Sequence, residues 1–143
     1  MKASKLIETS AKQEKKEKEI ALSFFKLIAP PEGPMAALRI FDPKCRHHNP
    51  YCAPGMKALF REMGKVQQDA EANEMPRDPI FEIKHVIVDG NMVVIHTTLQ
   101  SKSKRTRGFR QVHMFRFKGD KVAEYWDVTQ MVPKEAKYPK NLF

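Results

Sequence analysis

Gln111, His113 and Asp127 have the residue types and spacing from which proton chemistry can be built. Gln111 and His113 are two positions apart, so on a strand they share one side. Asp127 follows His113 by fourteen positions. Lys118-Gly119-Asp120 between them is turn chemistry, so a hairpin can bring the imidazole and the carboxylate together. The pairing is read from side chains. A three-residue loop of Gly119, Asp120 and Lys121 sets Lys118 against Val122, Arg116 against Glu124, Phe115 against Tyr125, Met114 against Trp126 and His113 against Asp127. Opposite-charge and aromatic pairs of this kind are favourable across strands. A two-residue loop would oppose Phe115 to Glu124, a poorer match. Alternation then places Gln111, His113, Phe115, Phe117, Tyr125 and Asp127 on one face, and Val112, Met114, Arg116, Glu124, Trp126 and Val128 on the other.

A carboxylate among aromatic rings has its pKa raised by desolvation, which makes it a usable base. A neighbouring imidazole can hold it, share its proton or donate to a developing oxyanion. The same spacing also fits a structural pair in which His113 and Asp127 only satisfy each other.

The elements that must position these groups are legible in the pattern. Apolar residues from Glu14 to Ile28 follow helical spacing, and Pro30 and Pro31 stop the run. Residues 1–12 are read as frayed or partly helical. Met35–Phe41 reads as a short helix ended at Asp42-Pro43. Lys44–Pro54 reads as irregular, and Gly55–Asn73 as a third helix. Ile80–Val88, Met92–Leu99, Phe109–Phe117 and Val122–Met131 read as four strands in a meander, joined by turns at Asp89-Gly90-Asn91 and at Gly119. Residues 134–143 form a tail. Helices first and hairpin strands after is the α+β pattern. The expectation is one domain over residues 1–143: a helix-backed, curved antiparallel sheet forming a cone with a pocket.

The same residues carry a family resemblance. Gly119-Asp120-Lys121-Val122-Ala123-Glu124-Tyr125-Trp126-Asp127-Val128, followed by Gln130, resembles the closing strand of SnoaL-like proteins. Arg46-His47-His48-Asn49-Pro50, then Gly55 and a helix with Phe60, is similar to their His-Asn-Pro segment. More narrowly it resembles the branch of predicted aldol-condensation enzymes, within the nuclear transport factor 2-like superfamily. The resemblance spans about residues 17 to 133. It implies an intramolecular aldol (cyclase-type) or isomerase-type reaction on a small carbonyl compound. Asp127 would act as acid or base and His113 as its partner. Gln111, Asn49, His48, Tyr125 and Phe115 would form the substrate-contacting set. No cofactor and no metal are implied. That superfamily hosts many activities, so a non-catalytic ligand-binding or dimerisation module of the same fold is the other reading.

Composition sets further bounds. The 143 residues, 41% hydrophobic and 30% charged, suit one globular domain. No apolar run reaches membrane-spanning length. The N-terminus lacks a signal-peptide core, so a cytoplasmic location is expected. Cys45 and Cys52 flank His47 and His48 without the tight pairs usual for zinc, and they read as ordinary thiols. The net charge of +9 is spread out, apart from Lys102, Lys104, Arg105, Arg107 and Arg110 at a hairpin tip. That cluster reads as a solubilising edge, with nucleic-acid phosphate contact through the Lys102–Arg110 hairpin as the alternative and attraction of anionic substrates as a third. His85 and His96 read as structural histidines. His85 shares parity with Phe81, Ile83 and Ile87, which leaves a pocket-facing orientation open. Trp126, on the face of Met114 and Val128, is expected to mark a homodimer contact. Packing against Tyr138–Phe143 is the competing account.

Overall fold

The computed structural model describes residues 2–69, 79–101, 107–138 and 141. Helix α1 spans Lys2–Ile28, a dozen residues longer at its start than its apolar spacing predicts. It is followed by a 3₁₀ helix, Pro34–Ile40, strand β1, Phe41–His47, and helix α2, Met56–Gln68. The second half is β2, Pro79–Asp89, β3, Met92–Ser101, β4, Phe109–Lys118, and β5, Lys121–Met131. The five strands form one open sheet in the order β1-β5-β4-β3-β2.

The meander β2–β5 is antiparallel, as the turn chemistry requires. The addition is β1, which joins the sheet parallel to β5 in a stretch whose prolines read as helix end and loop. A proline is tolerated there because β1 is an edge strand, with no partner on one side of its backbone.

The last hairpin differs from expectation at its tip and agrees with it along its length. Lys118 faces Lys121 and Phe117 faces Val122, so the loop has two residues. A register shift between Arg116 and Phe117 then restores Arg116 opposite Glu124 and His113 opposite Asp127. Ala123 is the extra residue of this β-bulge. The bulge turns Val122 inward, where it is fully buried. Gly119 has φ +61°, a conformation that glycine adopts without a Cβ penalty.

The core lies between the inner face of the sheet and the helices, centred on the fully buried Phe24 of α1. Its ring meets Phe115 at 5.4 Å, Tyr125 at 5.7 Å, Phe41 at 6.0 Å and Phe60 at 6.2 Å. One side chain thus joins α1 to β1, α2, β4 and β5. The other end of α1 is tied to the β4–β5 turn by Lys16 on Asp120 at 2.6 Å and by Gln13 donating to the Gly119 carbonyl at 3.2 Å.

Of the basic cluster, Lys102, Lys104 and Arg105 lie outside the described residues. Arg107 donates to the Pro133 carbonyl, and Arg110 is buried, so these two are bound back onto the fold. Gly108 beside them has φ +75°, and a Cβ there would stand 2.1 Å from the Leu99 carbonyl oxygen. Gly108→Ala is therefore expected to destabilise the fold by at least about 2 kcal/mol. An unchanged denaturant midpoint would contradict this packing.

Candidate functional site

Strands β4 and β5 bring Gln111, His113, Tyr125 and Asp127 to the inner face of the sheet. His113 and Asp127 are direct cross-strand neighbours, yet the imidazole does not bond the carboxylate. His113 Nδ1 lies 2.8 Å from the Tyr125 hydroxyl. His113 is 4% exposed, with Phe24 and Phe25 against its ring. Burial pushes its pKa down to about 3, so it is neutral at physiological pH. Burial, followed by the charge of Asp127, holds the Tyr125 hydroxyl well above its ordinary range. Tyr125 therefore keeps its proton and can donate it to Nδ1. The opposite arrangement would leave two buried groups unpaired, the phenol proton and the Nε2 lone pair, against one here, each orphan costing about 1–3 kcal/mol. That choice of tautomer puts the remaining ring proton on Nε2, which is buried and has no partner.

Asp127 is in a different state. Burial raises its pKa above 3.8, opposed first by a hydrogen bond from Thr129 and then by the charge of His47. The Thr129 hydroxyl donates to Oδ2 at a long 3.4 Å, and itself accepts from Gln111 Nε2 at 3.2 Å. The carboxylate is thus partly buried and weakly held. Two adjacent titratable groups are pushed apart: one imidazole held neutral, one carboxyl raised above its ordinary value by burial.

Orphan polar atoms surround the pair. Gln111 Oε1, Thr97 Oγ1 and His113 Nε2 are buried without hydrogen-bond partners, and Thr97 lies directly across from Gln111. These three polar atoms are therefore available on the inner face without a protein partner.

Beside this patch, a cavity of about 300 Å³ is lined by Asn49, Tyr51 and Cys52 of the β1–α2 loop and by Leu59, Glu62, Met63, Val66 and Gln67 of α2. That is the lower end of ligand size. Gln111, His113 and Asp127 are not among its lining residues. The link between the two is Cys52, whose thiol is raised by burial, then by the charges of Glu62 and Asp127.

The other expected site residues divide. Asn49 reaches the cavity and turns its Oδ1 to the Tyr51 amide at 2.9 Å. Phe115 is fully buried in the aromatic core. His48 lies on the outer face. Its Nε2 is 2.8 Å from Glu124 and its ring stacks on Trp126 at 4.7 Å and 3°. Glu124 also binds Arg46 at 3.0 Å and Arg116 at 2.6 Å.

The imidazole that faces Asp127 from β1 is His47. It is pinned by the Ala53 carbonyl at 2.9 Å and by the Asn49 amide at 3.2 Å. His47 and Thr129 are the two site residues that sequence reasoning did not single out. Strand parity on β5 would have found Thr129, which alternates with Asp127; His47 alternates with buried Cys45 only once Phe41–His47 is known to be a strand. Both cysteines are free, and burial pushes Cys45 up to about 12, which makes it unreactive. Among the described residues no three His, Cys, Asp or Glu side chains converge as a metal site.

His85 does not face the patch. A bulge at Lys84, between Ile83 and His85, flips the strand so that His85 points outward. There its Nδ1 lies 3.1 Å from His96 Nδ1. Among the described residues no helix is long and apolar enough to cross a membrane.

Known proteins share this fold. The chain is similar to an NTF2-like protein of unknown function from Cytophaga hutchinsonii, at 14% identity and a TM-score of 0.59 over 82% of this chain and 99% of that one. It is similar to AclR, a candidate hydroxylase from Streptomyces galilaeus, at 17% and 0.63 over 84% and 82%. It is also similar to a candidate polyketide cyclase from Sinorhizobium meliloti, at 14% and 0.58 over 77% and 94%. Identities this low speak for the fold and for no residue's role. No curated protein matches the chain. The model of the SnoaL-like domain matches residues 32–125, from the 3₁₀ helix to the middle of β5, and the chain belongs to that family.

Proposed function

We propose that the chain is an acid–base enzyme acting on a small enolisable carbonyl compound, in an aldol-, cyclase- or isomerase-type reaction, with Asp127 as the proton-transferring group. The observation that carries this reading is the setting of Asp127: partly buried, directly across from buried His113, with its pKa raised by that burial and one long hydrogen bond to hold it. A structural carboxylate would be locked by several donors and lowered. In the proposed cycle Asp127 takes the proton from carbon next to the carbonyl. The Nε2–H of His113 supports the developing enolate oxygen, Gln111 orients the substrate, and the cavity beside Asn49 takes its apolar part.

The test is deuterium uptake at the α-carbon of small β-diketones and β-ketoesters in D₂O, followed by NMR. Catalysed exchange with an acid limb above the ordinary carboxylate range is expected. Binding of these compounds without any exchange would instead favour the non-catalytic module.

We also infer that the outer face of the sheet pairs two copies of the chain. Ile87, Val94, Met114 and Trp126 form one cross-strand row. Ile87 and, in the next row, Val128 are 60% and 61% exposed. A self-complementary apolar face of this kind suits a two-fold contact. Val128→Asp should convert a dimer to a monomer in sedimentation at micromolar concentration, and a wild-type chain that sediments as a monomer there would refute the pairing.

A further inference from the structure

We infer that Thr129 is a positioning residue for Asp127, the middle member of a directed hydrogen-bond chain that runs from the Gln111 amide through the Thr129 hydroxyl to the carboxylate. The inference rests on the acid–base reading of Asp127 and adds to it how that group is aimed.

Direction follows from donor and acceptor chemistry. An ionised carboxylate only accepts, so the hydroxyl between it and Gln111 has one useful orientation: its proton toward Asp127 Oδ2 and a lone pair toward Gln111. Gln111 Nε2 supplies the proton for that lone pair at 3.2 Å, and the hydroxyl reaches Oδ2 at 3.4 Å. Flipping the amide would turn its oxygen toward Thr129 and draw the hydroxyl proton away from the carboxylate. It would also place the NH₂ group where Oε1 now sits buried without a partner. The observed orientation leaves one orphan acceptor. The flipped one leaves orphan donors and a carboxylate with no hydroxyl, and is the costlier arrangement.

The backbone sets the spacing. Gln111 and Thr129 are direct partners across β4 and β5, and Asp127 lies one pleat further along β5 on the same inner face. The chain therefore fixes one carboxylate oxygen by a weak bond and leaves Oδ1 for a reacting proton. Its other end is Gln111 Oε1, buried without a protein partner. A group that donates to Oε1 polarises the amide and strengthens each bond down to Asp127. Substrate seated at Gln111 is in this way coupled to the charge on the base.

The experiment is a titration of the Asp127 carboxyl carbon by NMR in the intact chain without substrate. It compares wild type with Thr129→Val, Thr129→Ala, Thr129→Ser and Gln111→Leu. Loss of the hydroxyl in the Val and Ala variants should move the midpoint to higher pH. Ser should restore the wild-type midpoint. Gln111→Leu, which leaves the hydroxyl unaimed, should fall between. Two hydroxyl-free variants guard against one that folds poorly. A midpoint in both equal to wild type would overturn the inference. Because no substrate is present, a shifted midpoint in a chain with no exchange activity would uphold Thr129 and refute only the catalytic role of Asp127.

Discussion

Asp127→Asn is expected to lower catalysed α-proton exchange by about 10²–10⁴-fold, and at neutral pH to leave the fold as stable as before or more so. The first effect follows from chemistry: the amide fills the same space and cannot take a proton. The second follows from linkage. Burial raises the Asp127 pKa above 3.8 in the folded chain, so between its unfolded and folded pKa values the native state binds more protons than the unfolded state. Stability therefore falls as pH rises through that window, and above it the ionised carboxylate is a standing cost. Asparagine removes that cost. Urea midpoints at neutral pH should show the variant equal or higher, and the gap should close below the unfolded carboxylate pKa. A large loss of stability at neutral pH would mean that Asp127 is a structural anchor. Gains in stability on removing a reacting group are the expected mark of a site held for activity.

His113→Gln should remove a large part of the chain's acid sensitivity. Here the sign is reversed. Burial lowers His113 from 6.5 to about 3, so the unfolded state binds the extra proton. The stability this gives is complete above pH 6.5 and is lost progressively as pH falls toward 3. The slope approaches about 1.4 kcal/mol per unit only below the unfolded pKa, so lowering the pH from 6.5 to 4.5 should cost the wild type about 2 kcal/mol from this one group. Glutamine does not titrate and can still face the Tyr125 hydroxyl. Its baseline stability will drop with the lost ring packing against Phe24 and Phe25, yet its midpoint should be flatter across that interval. Equal pH slopes for the two proteins would show that His113 accepts a proton within the fold.

How much of this was legible in the sequence depends on which force decided each element. The meander was legible because period-two patterning and Gly turns act locally. The His113–Asp127 register came from side-chain pairing, although the three-residue loop assumed for it is a two-residue loop plus a bulge at Ala123. Pairing energy along the strand outweighed the choice of turn. Strand β1 was hidden, because Pro43 is a breaker by local rules and becomes acceptable only on an edge, which is a tertiary fact. With β1 went the parity that places His47 inside and His48 outside. The bulge at Lys84 likewise moved His85 to the outer face. What no pattern could give is the partner choice of His113: Tyr125 and Asp127 share its face, and only three-dimensional geometry selects the hydroxyl.

The account stands on the protonation of a single carboxyl group. Its most direct measurement is the ¹³Cγ titration of Asp127 in the wild-type chain. The account predicts a midpoint clearly above 3.8. A midpoint at or below that value would show a carboxylate stabilised in place, and would contradict its use as a base.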